Sequence, residues 1–92
     1  MLTIYKYSIS DAQGGYSSNE LPVGAKILSS AFQGNDLFIW ALVDTDAVKE
    51  RRYFLVFPTG SDIGSYAEQM LIFINTAFIG SLVFHVFEYK MN

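Results

Sequence analysis

Aromatic, β-branched and other large apolar residues are grouped along the chain in short runs, and glycine, proline, asparagine and aspartate separate the runs. Runs of this length and composition are typical of β-strands rather than helices. We predict seven strands, at residues 3–9, 16–21, 25–33, 37–43, 51–57, 71–78 and 82–89. Short strands with turn signals at near-regular spacing favour a small antiparallel β-sandwich or barrel, formed by residues 1–92 as a single all-β domain.

Turn residues predict how neighbouring strands connect. The sequence Gly34-Asn35-Asp36 indicates a tight hairpin between two strands. Gly14-Gly15 marks a turn, after which the short polar strand 16–21 would pair back as a sheet edge. Residues 62–69 have little apolar periodicity, so they are predicted to form a loop or one short helical turn, with Asp62 as a possible N-cap.

Several strands lack the alternation of a sheet that shows one face to water. Residues 37–43 and 82–87 are apolar on both faces, and 53–57 and 71–79 are similar. A second copy of the chain is the simplest cover for the second face, so we predict a homo-oligomer. The alternative is that the loop at 58–69 and its short helix cover that face within one chain.

Composition and charge narrow the classes of function. The chain is 51% hydrophobic but only 16% charged, against roughly 25% charged in typical soluble domains, which is more apolar surface than one small core hides. Its net charge of −3 argues against nucleic-acid binding, because such binding depends on neutralising phosphates. It has no cysteine, and its first residues lack the pattern of a signal peptide, so we predict a cytoplasmic protein.

Residues 70–87 raise the question of a membrane span, because they contain no charged side chain and have the length of one. Polar residues such as Asn75 and His85 interrupt the segment, and β-branched and aromatic residues dominate it. We therefore predict two strands joined near Ile79-Gly80-Ser81, with no membrane association, and keep a span at 70–87 as the lesser alternative.

No set of residues specifies an enzyme, a metal site or a cofactor. Asp44 and Asp46 are close enough to share a cation, but aspartates at the end of a strand more often serve a turn. His85 is the only histidine, and Glu88 lies on the opposite face of the same strand, so it is poorly placed to orient a catalytic base. We predict that His85 is hydrogen-bonded in the core or in a subunit interface, where acid would charge it and loosen the assembly.

Two groups of residues are candidates for contacts with other molecules. Aromatic and basic side chains for a small ligand such as a nucleotide are predicted at Trp40, Tyr53, Arg51 and Arg52. Side chains for a subunit interface are predicted at Phe38, Phe84, His85 and Phe87. Because Trp40 lies in the middle of a wholly apolar run, packing in the core is the competing interpretation for it.

Five stretches occur in a familiar order: IYKY at 4–7, LPVGAKIL at 21–28, IWALVD at 39–44, the segment 50–60 and LVFHVFE at 82–88. In this combination the chain resembles a family of short phage- and prophage-encoded proteins with no assigned function. The resemblance covers most of the chain except roughly 10–19 and 61–69, and Asn75 stands where the family pattern has a glycine. It implies an accessory phage protein in the bacterial host cytoplasm, and it supplies no catalytic residues.

Three functions are compatible with these observations. The first is a non-enzymatic accessory protein that self-associates and binds a host or phage protein, in host takeover or against host defence. The second is a small-ligand protein that binds or sequesters a nucleotide signal, which requires a pocket where aromatic and basic groups converge. The third is a minor component of the virion, which would be found in purified particles.

Overall fold

Two antiparallel sheets packed face to face make up the computed structural model, which describes residues 1–90. The strands are β1 (Leu2–Ser8), β2 (Tyr16–Pro22), β3 (Lys26–Gln33), β4 (Asp36–Asp44), β5 (Lys49–Pro58), β6 (Leu71–Ile79) and β7 (Leu82–Tyr89). Sheet A has the order β1-β4-β3, and sheet B has the order β2-β5-β7-β6. The predicted seven-stranded all-β fold is confirmed, and two separate sheets make it a sandwich rather than a barrel.

Two hairpins form where the sequence predicts them. β3 and β4 are joined by Gly34 and Asn35, and β6 and β7 by Gly80 and Ser81. Gly34 has φ of 63° and Gly80 has φ of 56°, the left-handed region that favours glycine. Glycine at the first position of a two-residue loop is typical of the type II′ turn, whose twist matches that of the flanking strands.

β2 is an edge strand as predicted, but it does not pair back on β1. It pairs with β5, with Tyr16 opposite Leu55 and Pro22 opposite Lys49. A 3₁₀ helix at Ser10–Gly14, which the sequence analysis did not predict, carries the chain from sheet A to sheet B. Burial of Ile9 and Ala12 on either side of its start holds this crossing against the core.

The core lies between the two sheets. On β4, Leu37, Ile39, Ala41 and Val43 are completely buried, so the core covers one of the two apolar faces predicted for this strand. They meet inward side chains of sheet B, including Phe54, Val56 and Val86. Complete burial of one such large apolar side chain contributes about 1.5–3 kcal/mol, so this layer is the main source of stability.

Polar contacts tie the two sheets together along one side. The side chain of Asn75, at a bulge in β6, meets Ser30 of β3. Asn75 Oδ1 accepts from the Ser30 backbone N–H at 2.8 Å and from its hydroxyl at 2.7 Å, while Asn75 Nδ2 donates to the Ser30 carbonyl at 2.9 Å. The amide therefore acts as a substitute strand partner for Ser30.

The ion pair between Arg52 and Glu88 is largely buried at another part of the interior. Arg52 of β5 donates from Nε and Nη2 to the two carboxylate oxygens of Glu88 on β7, at 2.6 and 2.7 Å. Its Nη1 donates to the carbonyl of Ala25 in the β2–β3 connection. The hydrogen bonds with Glu88 raise the pKa of Arg52 above its usual value, so the guanidinium stays charged.

The connection between β5 and β6 contains the predicted helical turn as a 3₁₀ helix at Glu68–Met70. Asp62 does not cap this helix, whose N-cap is Ala67; instead Asp62 Oδ1 accepts from the backbone N–H of Gly64 at 2.9 Å. Residues 70–87 lie almost wholly in β6 and β7, as predicted. Within residues 1–90 no helix combines the length and apolar character needed to cross a membrane.

Candidate binding site

The outer face of sheet B is a layer of aromatic rings. Tyr53 and Phe57 of β5 point outward beside Phe87 and Tyr89 of β7, because each lies an odd number of residues from an inward core residue of its own strand. Neighbouring rings are in contact: the centroids of Phe57 and Phe87 lie 5.9 Å apart, and those of Phe73 and Phe87 lie 5.4 Å apart. These separations are those of favourable tilted and edge-on aromatic pairs.

The loop between β5 and β6 covers part of this aromatic layer. Tyr66 of the loop packs against Phe57 and Tyr89, with ring centroids 5.6 Å apart in both cases. Leu55, which also points outward from β5, is only 2% exposed as a result. On sheet B the second apolar face is therefore covered in part by the chain's own loop, which was the alternative to a second copy.

Four tyrosines surround an open cleft above Leu55. This tyrosine cleft has a volume of about 320 Å³ and is lined by Tyr16, Tyr53, Leu55, Tyr66 and Tyr89. Strands β2, β5 and β7 supply three of the rings, and the loop supplies the fourth. Within residues 1–90 none of the four hydroxyls makes a hydrogen bond, so the cleft combines apolar ring faces with free polar groups.

A second cavity adjoins the tyrosine cleft and shares two of its rings. This charged cavity has a volume of about 390 Å³ and is lined by Glu50, Arg51, Arg52, Tyr53, Ile72, Glu88, Tyr89 and Lys90. Most of its charge is paired within the chain, since Arg52 binds Glu88 and Arg51 donates to Ser18 Oγ at 3.0 Å and to Glu20 at 3.4 Å. The two cavities thus share two tyrosines but differ in character: tyrosines and Leu55 line the first, and mostly charged side chains line the second.

The structure brings together three of the four residues predicted to bind a small ligand. Arg51, Arg52 and Tyr53 all line the charged cavity. Trp40 lies apart from them, on the outer face of sheet A, where its ring centroid is 6.3 Å from that of Phe38. The four residues therefore do not form a single site.

The residues predicted for a subunit interface do not share one surface: they lie on two different outer faces and in the interior. Phe87 belongs to the aromatic layer of sheet B, and Phe38 lies on the outer face of sheet A, with Lys6 Nζ 4.5 Å from its ring centroid. Phe84 points inward, where it packs against the core and against Phe32. It therefore contributes to the interior rather than to an outer face.

His85 is held within the chain by two threonines. Its Nε2 lies 2.7 Å from Thr59 Oγ1, and its Nδ1 lies 3.1 Å from Thr76 Oγ1. His85 is thus hydrogen-bonded, as predicted, but it lies on the outer face of sheet B and not in the core. No carboxylate within residues 1–90 is hydrogen-bonded to either ring nitrogen, so the arrangement of a carboxylate-oriented base is not present there.

Asp44 and Asp46 form a turn, as predicted. Asp44 Oδ1 accepts from the backbone N–H of Asp46 at 3.0 Å, and this bond is the main reason that the pKa of Asp44 is below its usual value. Both carboxylates also accept from the amino group of Met1. Within the described residues, no three acidic, histidine or cysteine side chains are grouped so that they could hold a metal ion.

The outer face of sheet A has a largely apolar centre, and no other strand or loop of residues 1–90 packs over it. Leu2 is 68% exposed and Ile4 is 54% exposed on β1, and Leu28 on β3 is 45% exposed. Phe38, Trp40 and Leu42 of β4 lie between them, half-buried. On sheet A the second apolar face thus remains without a partner in one chain.

Of the four tyrosines of the cleft, the sequence analysis predicted only Tyr53; it missed Tyr16, Tyr66 and Tyr89, and also Leu55. Tyr53 and Tyr89 are directly opposite each other, but they are distant in sequence and only the pairing of β5 with β7 shows it. Tyr66 lies in a loop without periodicity, so no local pattern indicates where its ring packs.

Comparison with known proteins gives a family but no described relative. A family model described as a domain of unknown function (DUF7352) matches residues 1–92. No curated protein and no solved structure matches the chain. The match agrees with the expectation of a family without an assigned function.

Proposed function

The chain belongs to this family of domains of unknown function, and we propose that it is a non-enzymatic protein that self-associates and binds a segment of another protein. The observation that carries the proposal is the tyrosine cleft. Its walls are ring faces, its floor is Leu55, and its four hydroxyls have no partner within residues 1–90. Tyrosine offers a large, rigid contact area at a low cost in side-chain entropy, which suits recognition of another chain.

An extended peptide segment is the occupant that we propose for the tyrosine cleft. Aromatic-lined grooves bind extended or proline-rich segments by packing apolar side chains between rings, while hydroxyls donate to peptide carbonyls. The adjoining charged cavity continues the site along Tyr53 and Tyr89. There Glu50 and Lys90 are the charged groups without an ion-pair partner in residues 1–90. The segment therefore has an apolar or proline residue for the cleft, followed by polar or charged residues.

The partner in this proposal is a bacterial host protein or a phage protein, encountered in the host cytoplasm. The resemblance of the motifs at 4–7, 21–28, 39–44 and 82–88 to short phage-encoded proteins supports this setting. A small binding protein with no catalytic machinery would act by occupying a surface of its target, as in host takeover or in blocking a host defence.

Selection from a displayed peptide library tests the proposal, because a random library does not require the partner to be chosen in advance. Synthetic copies of the enriched peptides are measured by fluorescence anisotropy against the wild type, Tyr66→Ala, Tyr89→Ala and a control. Phe78→Ala is the matched control, because Phe78 is an exposed ring on the same sheet but outside the cleft. We expect a shared motif whose affinity falls at least about tenfold in the two cleft variants and not in the control. Peptides that bind all four proteins equally would refute the cleft as the binding site.

A nucleotide signal is a second candidate ligand, favoured by one observation. Arg51 and Lys90 lie in the cavity that shares Tyr53 and Tyr89 with the cleft, so a base could stack on a ring while phosphates face the basic groups. A panel of linear and cyclic nucleotides is tested for a rise in the melting temperature, with Arg51→Gln as the variant. A rise in the melting temperature that Arg51→Gln abolishes would favour nucleotide binding. No rise with any nucleotide of the panel would exclude it.

A further inference from the structure

Strand β1 has a free edge whose hydrogen-bonding groups follow a defined alternation. Thr45 N–H donates to the Met1 carbonyl at 2.9 Å, and Ile9 N–H donates to the Leu37 carbonyl at 2.8 Å. Both pairs continue the uninterrupted register between β1 and β4. Because hydrogen-bonded and non-hydrogen-bonded pairs alternate in an antiparallel ladder, the odd-numbered residues of β1 bond to β4. The even-numbered residues direct their backbone groups away from the sheet.

One of these outward groups is already used. The carbonyl of Ser8 accepts from Asn19 Nδ2 at 3.0 Å. The backbone groups of Leu2, Ile4 and Lys6 have no hydrogen-bond partner within residues 1–90. The free part of the edge is therefore a short segment centred on Ile4.

The side chains around this segment are apolar and exposed on both faces of the strand. Leu2 and Ile4, on the outer face, are 68% and 54% exposed, and Tyr5, on the face toward sheet B, is 47% exposed. The exposure of Tyr5 shows that sheet B does not extend beneath this edge. Lys6, the only charge on β1, is turned toward β3, where its Nζ donates to Gln33 Oε1 at 2.9 Å. The edge thus lacks the proline or unpaired inward charge that usually blocks strand addition.

We propose that β1 pairs antiparallel with β1 of a second copy of the chain, with Ile4 on the two-fold axis. Ile4 then faces Ile4 of the second copy, and Leu2 faces Lys6 of the second copy. This register uses every free backbone group of Leu2, Ile4 and Lys6, and it joins the two A sheets into one sheet of twice three strands.

Neighbouring registers are worse for physical reasons. A register centred on Tyr5 would place Leu2 opposite Ser8, whose carbonyl is already bound to Asn19. A register centred on Lys6 would place two lysines directly opposite each other, which is destabilising. Self-complementarity about Ile4 is thus a property of the edge itself.

This inference rests on the self-association in the proposed function and names its surface, but it does not depend on the tyrosine cleft. The pairing would make the apolar outer faces of the two A sheets continuous across the axis. Tyr5 of each copy would lie opposite Thr3 of the other, so its exposed ring would also be covered. Both consequences reduce the exposed apolar surface of the single chain.

The oligomeric state and its register are tested together. Sedimentation velocity over a range of concentrations is applied to the wild type, to Ile4→Lys and to Leu28→Lys, an equally exposed control on the opposite edge strand of sheet A. Ile4→Lys places two charges on the axis, so we expect its dimer dissociation constant to rise by about a hundredfold or more, and the control to stay dimeric. An Ile4→Lys protein that dimerises like the wild type would overturn the proposal.

Cysteine substitution tests the register even if a lysine prevents folding, because the chain has no cysteine of its own. Cα atoms in a hydrogen-bonded pair lie about 5.5 Å apart, within the range for a disulfide. We expect Ile4→Cys to form a disulfide-linked dimer on mild oxidation, and Lys6→Cys not to, because Lys6 faces Leu2. Efficient linkage of Lys6→Cys, or none of Ile4→Cys in a dimeric protein, would refute this register and leave self-association intact. A wild-type protein that is monomeric at every concentration would refute both this register and self-association. Peptide binding in the cleft is measured separately, so that result does not decide it.

Discussion

Replacing Glu88 by alanine tests how strongly the Arg52–Glu88 ion pair stabilises the interior. The pair has two charge-assisted hydrogen bonds, at 2.6 and 2.7 Å, and the two side chains are only 18% and 14% exposed. In Glu88→Ala the guanidinium keeps one acceptor, the carbonyl of Ala25. Removal of one partner of a fully buried pair costs about 3–5 kcal/mol. Because these side chains retain some contact with water, we expect Glu88→Ala to lower the free energy of unfolding by about 2–3 kcal/mol.

Urea unfolding followed by circular dichroism measures this change, at one fixed protein concentration so that self-association affects every variant equally. Glu88→Gln keeps the shape but not the charge, and we expect it to cost less than Glu88→Ala. The double variant Arg52→Met/Glu88→Leu replaces the pair by apolar side chains and should be more stable than Glu88→Ala alone, since no charge is left without a partner. A loss below about 0.5 kcal/mol in Glu88→Ala, or a double variant that is no more stable than Glu88→Ala, would refute the reasoning.

Three further predictions concern the links between elements. Asn75→Ala removes three hydrogen bonds to Ser30, so we expect the free energy of unfolding to fall by about 2–3 kcal/mol in urea; a change below about 0.5 kcal/mol would contradict this. Gly34→Ala places a side chain at φ of 63°, where the new Cβ meets no neighbouring group within 4 Å. Backbone strain alone should therefore lower the free energy of unfolding by about 1–2 kcal/mol. Thermal unfolding measures this, and a stabilised variant would contradict it. The pKa of Asp44 is lowered in the folded state, mainly by the hydrogen bond from Asp46 N–H. The Asp44 carboxylate therefore stabilises the fold at pH values above its unfolded pKa, and this stabilisation is lost as the pH falls through its folded pKa. The stability difference between the wild type and Asp44→Ala should therefore shrink in acid, and urea unfolding at several pH values would contradict this if the difference widened.

Local patterns in the sequence were sufficient to predict the strands and the two hairpins, β3–β4 and β6–β7. A strand needs only a short run of suitable side chains, and the turns at Gly34 and Gly80 need only a residue that tolerates positive φ. The two-residue period of a strand also placed Leu37, Ile39, Ala41 and Val43 together on one face of β4. These features depend only on residues that are neighbours in sequence, so they can be predicted from the sequence of a single chain.

The candidate binding site is formed by contacts between residues distant in sequence, which no local pattern predicts. The partner of β2 was wrong in the sequence analysis, because pairing with β5 depends on the 3₁₀ helix that carries the chain between sheets. The same pairings decide that Tyr16, Tyr53 and Tyr89 lie together and that Trp40 lies elsewhere.

Sequence alone thus determined the seven strands, the all-β class, and an excess of apolar surface for one small domain. Only the tertiary structure decided where that surface lies: part of it is covered by Tyr66 and its loop, and part remains on sheet A and at the edge of β1. The physical reason is that strand formation is decided by neighbouring residues, whereas register and sheet order are decided by the packing of residues distant in sequence.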